Sequence, residues 1–243
     1  FKTTFRVLAD DVHLGGTLGR YAVEQLKGKV IAVIDDRTAY GQGVADEFEK
    51  GVKGKGGSIA KREFTNDKAT DFTAILTSIK AAKPDVVFYG GMDAVAGPMI
   101  RQMKQLGITA KFMGGDGICS GELPKLAAGA MADGQVVCAE AGGVEGAQKA
   151  SMEKFKVDFK KKFNADVQIY APYVYDATMV MVDAMVKAGS AEPAKYLPVL
   201  AKTNGFKGVT GTIAFDEKGD IQNGALTLFT YKGEKREQIA VVR

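Results

Sequence analysis

The first 140 residues alternate between two hydrophobic periodicities, and this alternation constrains the fold more than any other feature. Short apolar runs bounded by turn residues predict buried strands, whereas apolar residues spaced three and four apart predict amphipathic helices. Phe72, Leu76 and Ile79, for example, fall on one face of a helix. Repeated strand, helix, strand order implies a parallel sheet with right-handed crossovers. We therefore predict an α/β fold for this part of the chain.

The predicted elements change in order beyond Glu140. Before it, strands are predicted at 5–8, 30–34, 58–64, 86–89, 111–113 and 135–138, with helices at 14–26, 41–53, 72–82, 95–106 and 122–130. After it, three helices follow one another at 146–163, 171–188 and 194–203, and extended segments are predicted at 211–215, 226–231 and 238–242. No strand is predicted between the three helices, so we expect their apolar faces to have little sheet to cover.

Composition indicates a globular protein and argues against several classes of enzyme. The residues are 46% hydrophobic and 26% charged. The net charge of +4 comes from interspersed acidic and basic residues, so no nucleic-acid partner is indicated. His13 is the single histidine, which argues against Ser-His-Asp and Cys-His catalysis and against metal sites with several imidazoles. We expect neither an enzyme nor a bound metal or cofactor.

Glycine-rich loops at the carboxyl ends of predicted strands are candidates for a ligand site. Ligands of open parallel sheets bind at this edge, and glycines let the backbone approach them closely. The loops contain Tyr40, Met92, Asp93 and Asp116. We predict that Tyr40, Asp93 and Asp116 lie on one rim. The alternative is that Asp36, Asp93 and Asp116 are helix N-caps, a role that Asp often fills.

Two further groups leave alternatives open. Tyr170, Tyr173 and Tyr175 stand at the start of a predicted helix, where they either contact a small amphipathic ligand or only pack. Cys119 and Cys138 are 19 residues apart, just past two predicted strands. They either form a disulfide, which would contribute roughly 3 kcal/mol and require an oxidising compartment, or remain buried thiols.

Five segments occur in the order of a known family: VIAVIDDRTAYGQGVADEF (30–48), DFTAILTSIKAAKPDVVFYGGMD (71–93), RQMKQLGITAKFMGGDG (101–117), YAPYVYDA (170–177) and GTIAFDEKGD (211–220). Through its whole length, the chain resembles the leucine/isoleucine/valine-type periplasmic substrate-binding proteins of ABC importers. The resemblance implies a two-lobed type I periplasmic-binding fold with parallel Rossmann-like sheets, whose lobes are joined by three crossings and close on an amino acid.

The resemblance also implies a division into lobes. Residues 11–140 and 225–243 are expected to form the second lobe, and residues 1–10 and 141–224 the remainder of the first lobe and the hinge crossings. Mature chains of the family begin with roughly 110 to 120 further residues, about one domain's worth, which build most of the first lobe's sheet. We expect this first lobe to be incomplete and the chain alone to bind ligand weakly or not at all.

Roles for individual residues follow from the matched motifs. Asp116 matches a family acid that pairs with the α-ammonium of the ligand, and Tyr40 matches a pocket tyrosine. Met92 and Asp93 match the pocket loop at a strand end. Tyr170 matches an aromatic residue that faces the cleft, with Tyr173 as its companion.

The function implied is that of a periplasmic solute-binding component, with an amino acid as ligand. Its expected partners are the permease subunits of an importer and a complementary N-terminal fragment. A sensory or regulatory ligand-binding domain of the same fold is the alternative, because a fold alone does not settle function.

Overall fold

The computed structural model describes residues 3–144 and 148–242, which divide into two units. Unit 1 holds the described residues of 1–10, 141–226 and 242, and unit 2 holds 11–140 and 227–241. The helices are α1 (Asp11–Glu24), α2 (Ala39–Gly54), α3 (Thr73–Ala81), α4 (Asp93–Gln105), α5 (Leu123–Ala127), α6 (Gln148–Phe163), α7 (Ala171–Ala188) and α8 (Pro193–Leu200). The strands are β1 (Ile31–Asp35), β2 (Ile59–Phe64), β3 (Val86–Gly90), β4 (Lys111–Gly114), β5 (Val136–Ala141), β6 (Asn204–Lys207), β7 (Thr212–Ala214), β8 (Leu226–Lys232) and β9 (Lys235–Val242).

Unit 2 is built on a seven-stranded sheet. The strand order is β2-β1-β3-β4-β5-β8-β9, and the pairs β2–β1, β1–β3, β3–β4 and β4–β5 are parallel. All five residues of β1 and all five of β3 are buried, which explains their unbroken apolar runs, because helices cover both faces of such a sheet. The predicted α/β fold with a parallel sheet is confirmed.

Two helices of unit 2 pack so closely that glycine is required between them. A Cβ at Gly19 of α1 would lie 2.2 Å from the carbonyl oxygen of Phe48 in α2. The Phe48 ring stacks on Phe88 of β3 with 4.0 Å between the ring centroids. A second group of buried apolar residues includes Leu76, Ile79 and Met103 from α3 and α4. The contacts of α2 with α1 and β3 hold this helix in place, and they therefore also position the loop between β1 and α2.

Unit 1 combines three helices with a small antiparallel pair of strands, β6 and β7. Val180 and Ala184 of α7 pack with Ile213 and Phe215. Other apolar residues of this helix are exposed to solvent; Val186, for example, is 73% exposed. In the part of the chain that the structure describes, these helices therefore have little sheet to cover, as the sequence predicted.

Some predicted elements are wrong. Residues 5–8 form no strand; Phe5 instead packs its ring against Phe215, since a short apolar run fits side-chain packing as well as strand pairing. His13 consequently follows no strand and lies in the first turn of α1. The predicted helix at 122–130 ends at Ala127, because Ala128 takes a left-handed conformation with φ 48°. The strand β6 was not predicted.

Among residues 3–144 and 148–242, no helix is both long enough and apolar enough to cross a membrane.

Candidate functional site

The carboxyl ends of β1, β3 and β4 lie side by side in unit 2. Asp35 is paired with Gly90, and Tyr89 with Gly114, so three neighbouring strands end at the same edge of the sheet. The loops that follow carry the predicted residues Tyr40, Met92, Asp93 and Asp116. Since the strands are parallel, these loops all leave the sheet in the same direction.

Tyr40 and Asp116 are in direct contact. The Tyr40 hydroxyl donates a hydrogen bond to Asp116 Oδ1 at 2.8 Å, and its oxygen accepts one from the backbone N–H of Gly117 at 3.1 Å. Both side chains are half-buried. A carboxylate has about four acceptor positions, so Asp116 can bind a cationic group beside the tyrosine hydroxyl.

Gly117 brings the three loops together because it has no side chain. A Cβ at this position would lie 2.5 Å from the carbonyl oxygen of Gly91, 2.9 Å from Met92 Sδ and 3.1 Å from Tyr40 Cε1. The loop after β4 thus packs against residues from the loops after β1 and β3. Met92 remains 47% exposed, which leaves apolar surface next to the Tyr40 and Asp116 pair.

Asp93 lies on the same edge and is bonded to the loop after β4. It is the first residue of α4, it is half-buried, and its Oδ2 accepts a hydrogen bond from the Ser120 hydroxyl. Asp93 therefore links the loop of Met92 with the segment that follows Asp116.

The helix N-cap interpretation of the three aspartates is wrong. The residues in the N-cap positions are Thr38 for α2, Met92 for α4 and Gly115 for the 3-10 helix Asp116–Ile118. Asp36 stands two residues before the α2 cap and accepts a hydrogen bond from its N–H at 3.0 Å. A cap must precede the first helical residue, and none of the three aspartates occupies that position.

The segment after Asp116 is held by a disulfide. Cys119 and Cys138 are bridged, with their Cα atoms 5.4 Å apart, which confirms the predicted pairing. The bridge connects the 3-10 helix with β5, so the position of Asp116 depends on the sheet.

Two residues near the C-terminus add to this restraint. The Tyr231 hydroxyl donates to the carbonyl oxygen of Ser120 at 2.8 Å, and burial raises the pKa of Tyr231 above its ordinary value. Arg236 donates to the carbonyl oxygen of Cys119 and to the Glu140 carboxylate. Neither Ser120 nor Tyr231 was predicted from the sequence as part of the site. Ser120 adjoins a predicted bridge, which could have drawn attention to it, whereas Tyr231 is 111 residues away and has no local signal.

Tyr170 and Tyr173 belong to unit 1. Tyr170 is 43% exposed and immediately precedes α7. Tyr173 is half-buried and packs its hydroxyl against Gly142, where a Cβ would lie 1.8 Å from the Tyr173 oxygen. Gly142 also has a φ of 110°, which suits glycine. The structure therefore brings together the predicted residues of unit 2, and it places these two tyrosines in unit 1.

The fold is that of an α/β protein with a mainly parallel sheet, in which the carboxyl edge of the sheet is the expected place for a ligand site. Its candidate site combines an exposed thioether, a tyrosine hydroxyl and a half-buried carboxylate at the carboxyl edge of a parallel sheet. Such a set can hold a small molecule that carries both an apolar and a cationic group.

Comparison with known proteins identifies the family. The model of the family described as "Periplasmic binding protein" matches residues 1–236. The chain therefore belongs to the periplasmic binding protein family.

Curated relatives are similar over nearly the whole chain. The Leu/Ile/Val-binding protein homolog 1 of Brucella abortus (strain 2308) is 36% identical over 232 residues, which cover 96% of this chain and 61% of the relative. The leucine-, isoleucine-, valine-, threonine-, and alanine-binding protein of Pseudomonas aeruginosa is 33% identical and is covered to the same 61%. The chain thus spans less than two thirds of the length of these relatives.

Solved structures share the fold. The leucine-binding protein LivK from Thermotoga maritima matches with a TM-score of 0.88 and 27% identity, over 99% of this chain and 68% of that one. The substrate-binding protein LivJ from Streptococcus pneumoniae, solved in complex with isoleucine, matches with a TM-score of 0.84 and 26% identity, over 96% of this chain and 65% of that one. The relatives are substrate-binding proteins rather than enzymes.

Proposed function

We propose that this protein is the solute-binding component of an ABC importer and that it binds a branched-chain or other small amino acid. The observation that carries the proposal is the contact between Tyr40 and Asp116 at the carboxyl edge of the sheet. The names of the relatives from Brucella and Pseudomonas, and the isoleucine bound to the Streptococcus protein, support this class of ligand.

The ligand ammonium is proposed to bind Asp116. A half-buried carboxylate is costly to desolvate alone, and an ammonium offsets that cost through a charge-assisted hydrogen bond. Tyr40 orients the carboxylate, because its hydroxyl donates to Oδ1 and is itself held by the N–H of Gly117. A carboxylate held in this way accepts hydrogen bonds in defined directions, which suits the compact α-ammonium group of an amino acid.

The side chain of the ligand is proposed to contact the loop after β3. Met92 is half exposed beside Gly117, and its flexible thioether can pack against aliphatic groups of different shapes. Asp93 borders the same loop while it accepts a hydrogen bond from Ser120. Tyr170 and Tyr173 of unit 1 are proposed, as predicted from the sequence, to be aromatic contacts of the ligand.

The proposed location is the periplasm, with permease subunits of an importer as partners. Two findings support an extracytoplasmic location: the family to which the chain belongs and the disulfide between Cys119 and Cys138, which persists in oxidising compartments.

Isothermal titration calorimetry of the full-length protein with leucine, alanine and glutamate tests the function. We expect leucine to bind with a dissociation constant near 1 μM, which corresponds to about 8 kcal/mol. Asp116→Ala should abolish measurable binding, whereas Asp67→Ala, which removes an exposed carboxylate from the loop after β2, should leave it unchanged. Failure of all three amino acids to bind the wild-type protein would contradict the proposal.

A further inference from the structure

Asp36 connects β1 with the helix that carries Tyr40. It directly follows the strand and is only 2% exposed. Its Oδ1 accepts hydrogen bonds from the N–H of Thr38 at 3.0 Å and from the Thr38 hydroxyl at 2.6 Å. The Thr38 hydroxyl oxygen accepts in turn from the N–H of Gly41 at 2.9 Å. A continuous relay of hydrogen bonds therefore runs from the strand end into the first turn of α2, where Tyr40 is located.

Asp36 also joins this turn to the loop that carries Met92. Its backbone N–H donates to the carbonyl oxygen of Gly90 at 3.0 Å. A Cβ at Gly41 would lie 2.1 Å from Asp36 Oδ1 and 2.6 Å from the Gly90 oxygen. A Cβ at Gly91 would lie 2.8 Å from Asp36 Oδ2. The loops after β1 and β3 are thus packed around one carboxylate, without space for another side chain.

The second carboxylate oxygen of Asp36 lies on the side of the Tyr89 side chain. Among the described residues, Oδ2 is buried and accepts no hydrogen bond, which is unfavourable for a charged group. It lies near the Tyr89 hydroxyl, since both approach the position of a Gly91 Cβ. The Tyr89 hydroxyl is likewise buried without a hydrogen-bond partner among the described residues. Burial and then the negative charge of Asp36 raise the pKa of Tyr89.

We propose that Asp36 is a positioning residue of the amino-acid site, whose carboxylate holds the Tyr40 hydroxyl against Asp116 by fixing the first turn of α2 to the end of β1. The inference rests on the proposed function for the identity of the ligand. The positioning itself concerns only residues of unit 2 and can be measured without a ligand.

Asp71 provides a matched control. It accepts hydrogen bonds from the N–H of Thr73 at 2.9 Å and from the Thr73 hydroxyl at 2.7 Å, at the start of α3. The local geometry repeats that of Asp36 and Thr38, but Asp71 is exposed and contacts neither Tyr40 nor Asp116 by any hydrogen bond described here. Asp71→Ala therefore removes the same pair of hydrogen bonds at the start of a different helix, α3.

The ligand-free experiment uses the protein labelled with 3-fluorotyrosine and observed by ¹⁹F NMR. The Tyr40 signal is assigned from its loss in Tyr40→Phe. Asp116→Asn should shift the Tyr40 signal in the wild-type background and in Asp71→Ala, because Tyr40 and Asp116 are hydrogen-bonded in both.

In Asp36→Ala, by contrast, Tyr40 and Asp116 should already be separated, so Asp116→Asn should not shift the Tyr40 signal. If the Asp36→Ala variant fails to fold, the experiment uses Thr38→Val instead, because this substitution breaks the same relay. An undiminished shift in the relay variant overturns the proposal.

A double-mutant cycle of Asp36 and Tyr40, with the affinity for leucine as the measured quantity, tests the same role in ligand binding. Asp36→Ala should weaken binding about tenfold in the wild-type background but less than twofold in Tyr40→Phe, because an effect transmitted through Tyr40 is non-additive with its loss. Asp36→Asn should restore most of the affinity, since the amide oxygen still accepts from Thr38. Equal losses in both backgrounds, or an equal loss in Asp71→Ala, overturn the proposal. If the wild-type protein binds no amino acid, the proposed function fails, and the NMR result alone decides the role of Asp36.

Discussion

The hydroxyl of Tyr40 and the carboxylate of Asp116 meet at 2.8 Å although 76 residues separate them in sequence. They meet because parallel strands bring the loops after β1 and β4 to one edge of the sheet, with the β3 loop between them. The contact gives the Asp116 carboxylate a fixed orientation before any ligand arrives. A preorganised acceptor binds a cation with a smaller loss of conformational entropy.

Removal of the Tyr40 hydroxyl should weaken ligand binding. Hydrogen bonds to charged groups contribute about 1.5 to 3 kcal/mol, so we expect Tyr40→Phe to reduce the affinity for leucine at least tenfold. Calorimetric titration measures the affinity, and differential scanning calorimetry checks that the variant is folded at the temperature of the titration. Tyr196→Phe removes a hydroxyl from α8 of unit 1 and serves as the control. Wild-type affinity in Tyr40→Phe would show that the contact has no role in binding.

Met92 should determine how strongly the site prefers large aliphatic ligands. If leucine packs against this thioether, Met92→Ala removes apolar contact worth about 1 to 2 kcal/mol for leucine and much less for alanine. The ratio of the two affinities should therefore fall about tenfold. Met179→Ala, on the exposed side of α7, is the control. A constant ratio of affinities would exclude Met92 from the side-chain pocket.

Loss of the disulfide should reduce both stability and binding. The double variant Cys119→Ser, Cys138→Ser loses the loop constraint on the unfolded chain, which is worth about 3 kcal/mol at this separation. Because Asp116 is three residues from Cys119, leucine should also bind more weakly. Chemical denaturation and titration at a temperature where the variant is folded measure the two effects. Unchanged binding in the folded variant would mean that Tyr231 and Arg236 hold the segment without the bridge.

The carboxylate of Asp85 should make the start of β1 sensitive to acid. It accepts from the N–H groups of Val30 and Lys29, both at 2.9 Å, and these bonds hold its pKa below the ordinary value. A depressed pKa stabilises the fold above the unfolded-state pKa, and this contribution disappears as the pH falls through the folded-state value. Its size is small because Asp85 is exposed.

Melting temperatures of the wild type and of Asp85→Asn, recorded from about pH 6 to about pH 3, measure this effect. The stability difference should be present at the upper end of the range and vanish at the lower end. Asp67→Asn is the control for loss of one exposed charge. A difference that stays constant over the range would indicate that the hydrogen bonds do not depend on the charge of Asp85.

The parallel sheet was predictable because its buried strands are marked by local apolar runs in the sequence. The runs that became β1 and β3 are continuously apolar, and a helix was correctly predicted over Ala171–Ala188 from its periodicity. The rule that ligands bind at strand ends then selected the loops of Tyr40 and Asp116. Residues 5–8 show the limit of such patterns, since Phe5 finds its apolar partner in Phe215 rather than in a neighbouring strand.

The connections within the site depend on distant contacts that no local pattern contains. Tyr231 reaches Ser120 across 111 residues, and Gly117 matters only because three loops converge on its Cα. Asp36 was considered as a helix cap, but its backbone bonds to Gly90 and its carboxylate lies near Tyr89, and both of these residues belong to another strand. Sequence periodicity places elements in a sheet, whereas contacts between loops appear only when the register of the strands is known.

The most direct test of the account compares leucine with 4-methylpentanoate, which is the same molecule without its amino group. We predict that the wild-type protein prefers leucine at least about 30-fold, since loss of one partner of a hydrogen-bonded charge pair costs about 2 to 5 kcal/mol. Asp116→Asn should reduce this preference to less than tenfold, while Asp67→Asn retains it. An equal preference for leucine in wild type and Asp116→Asn would contradict the assignment of the ammonium to Asp116.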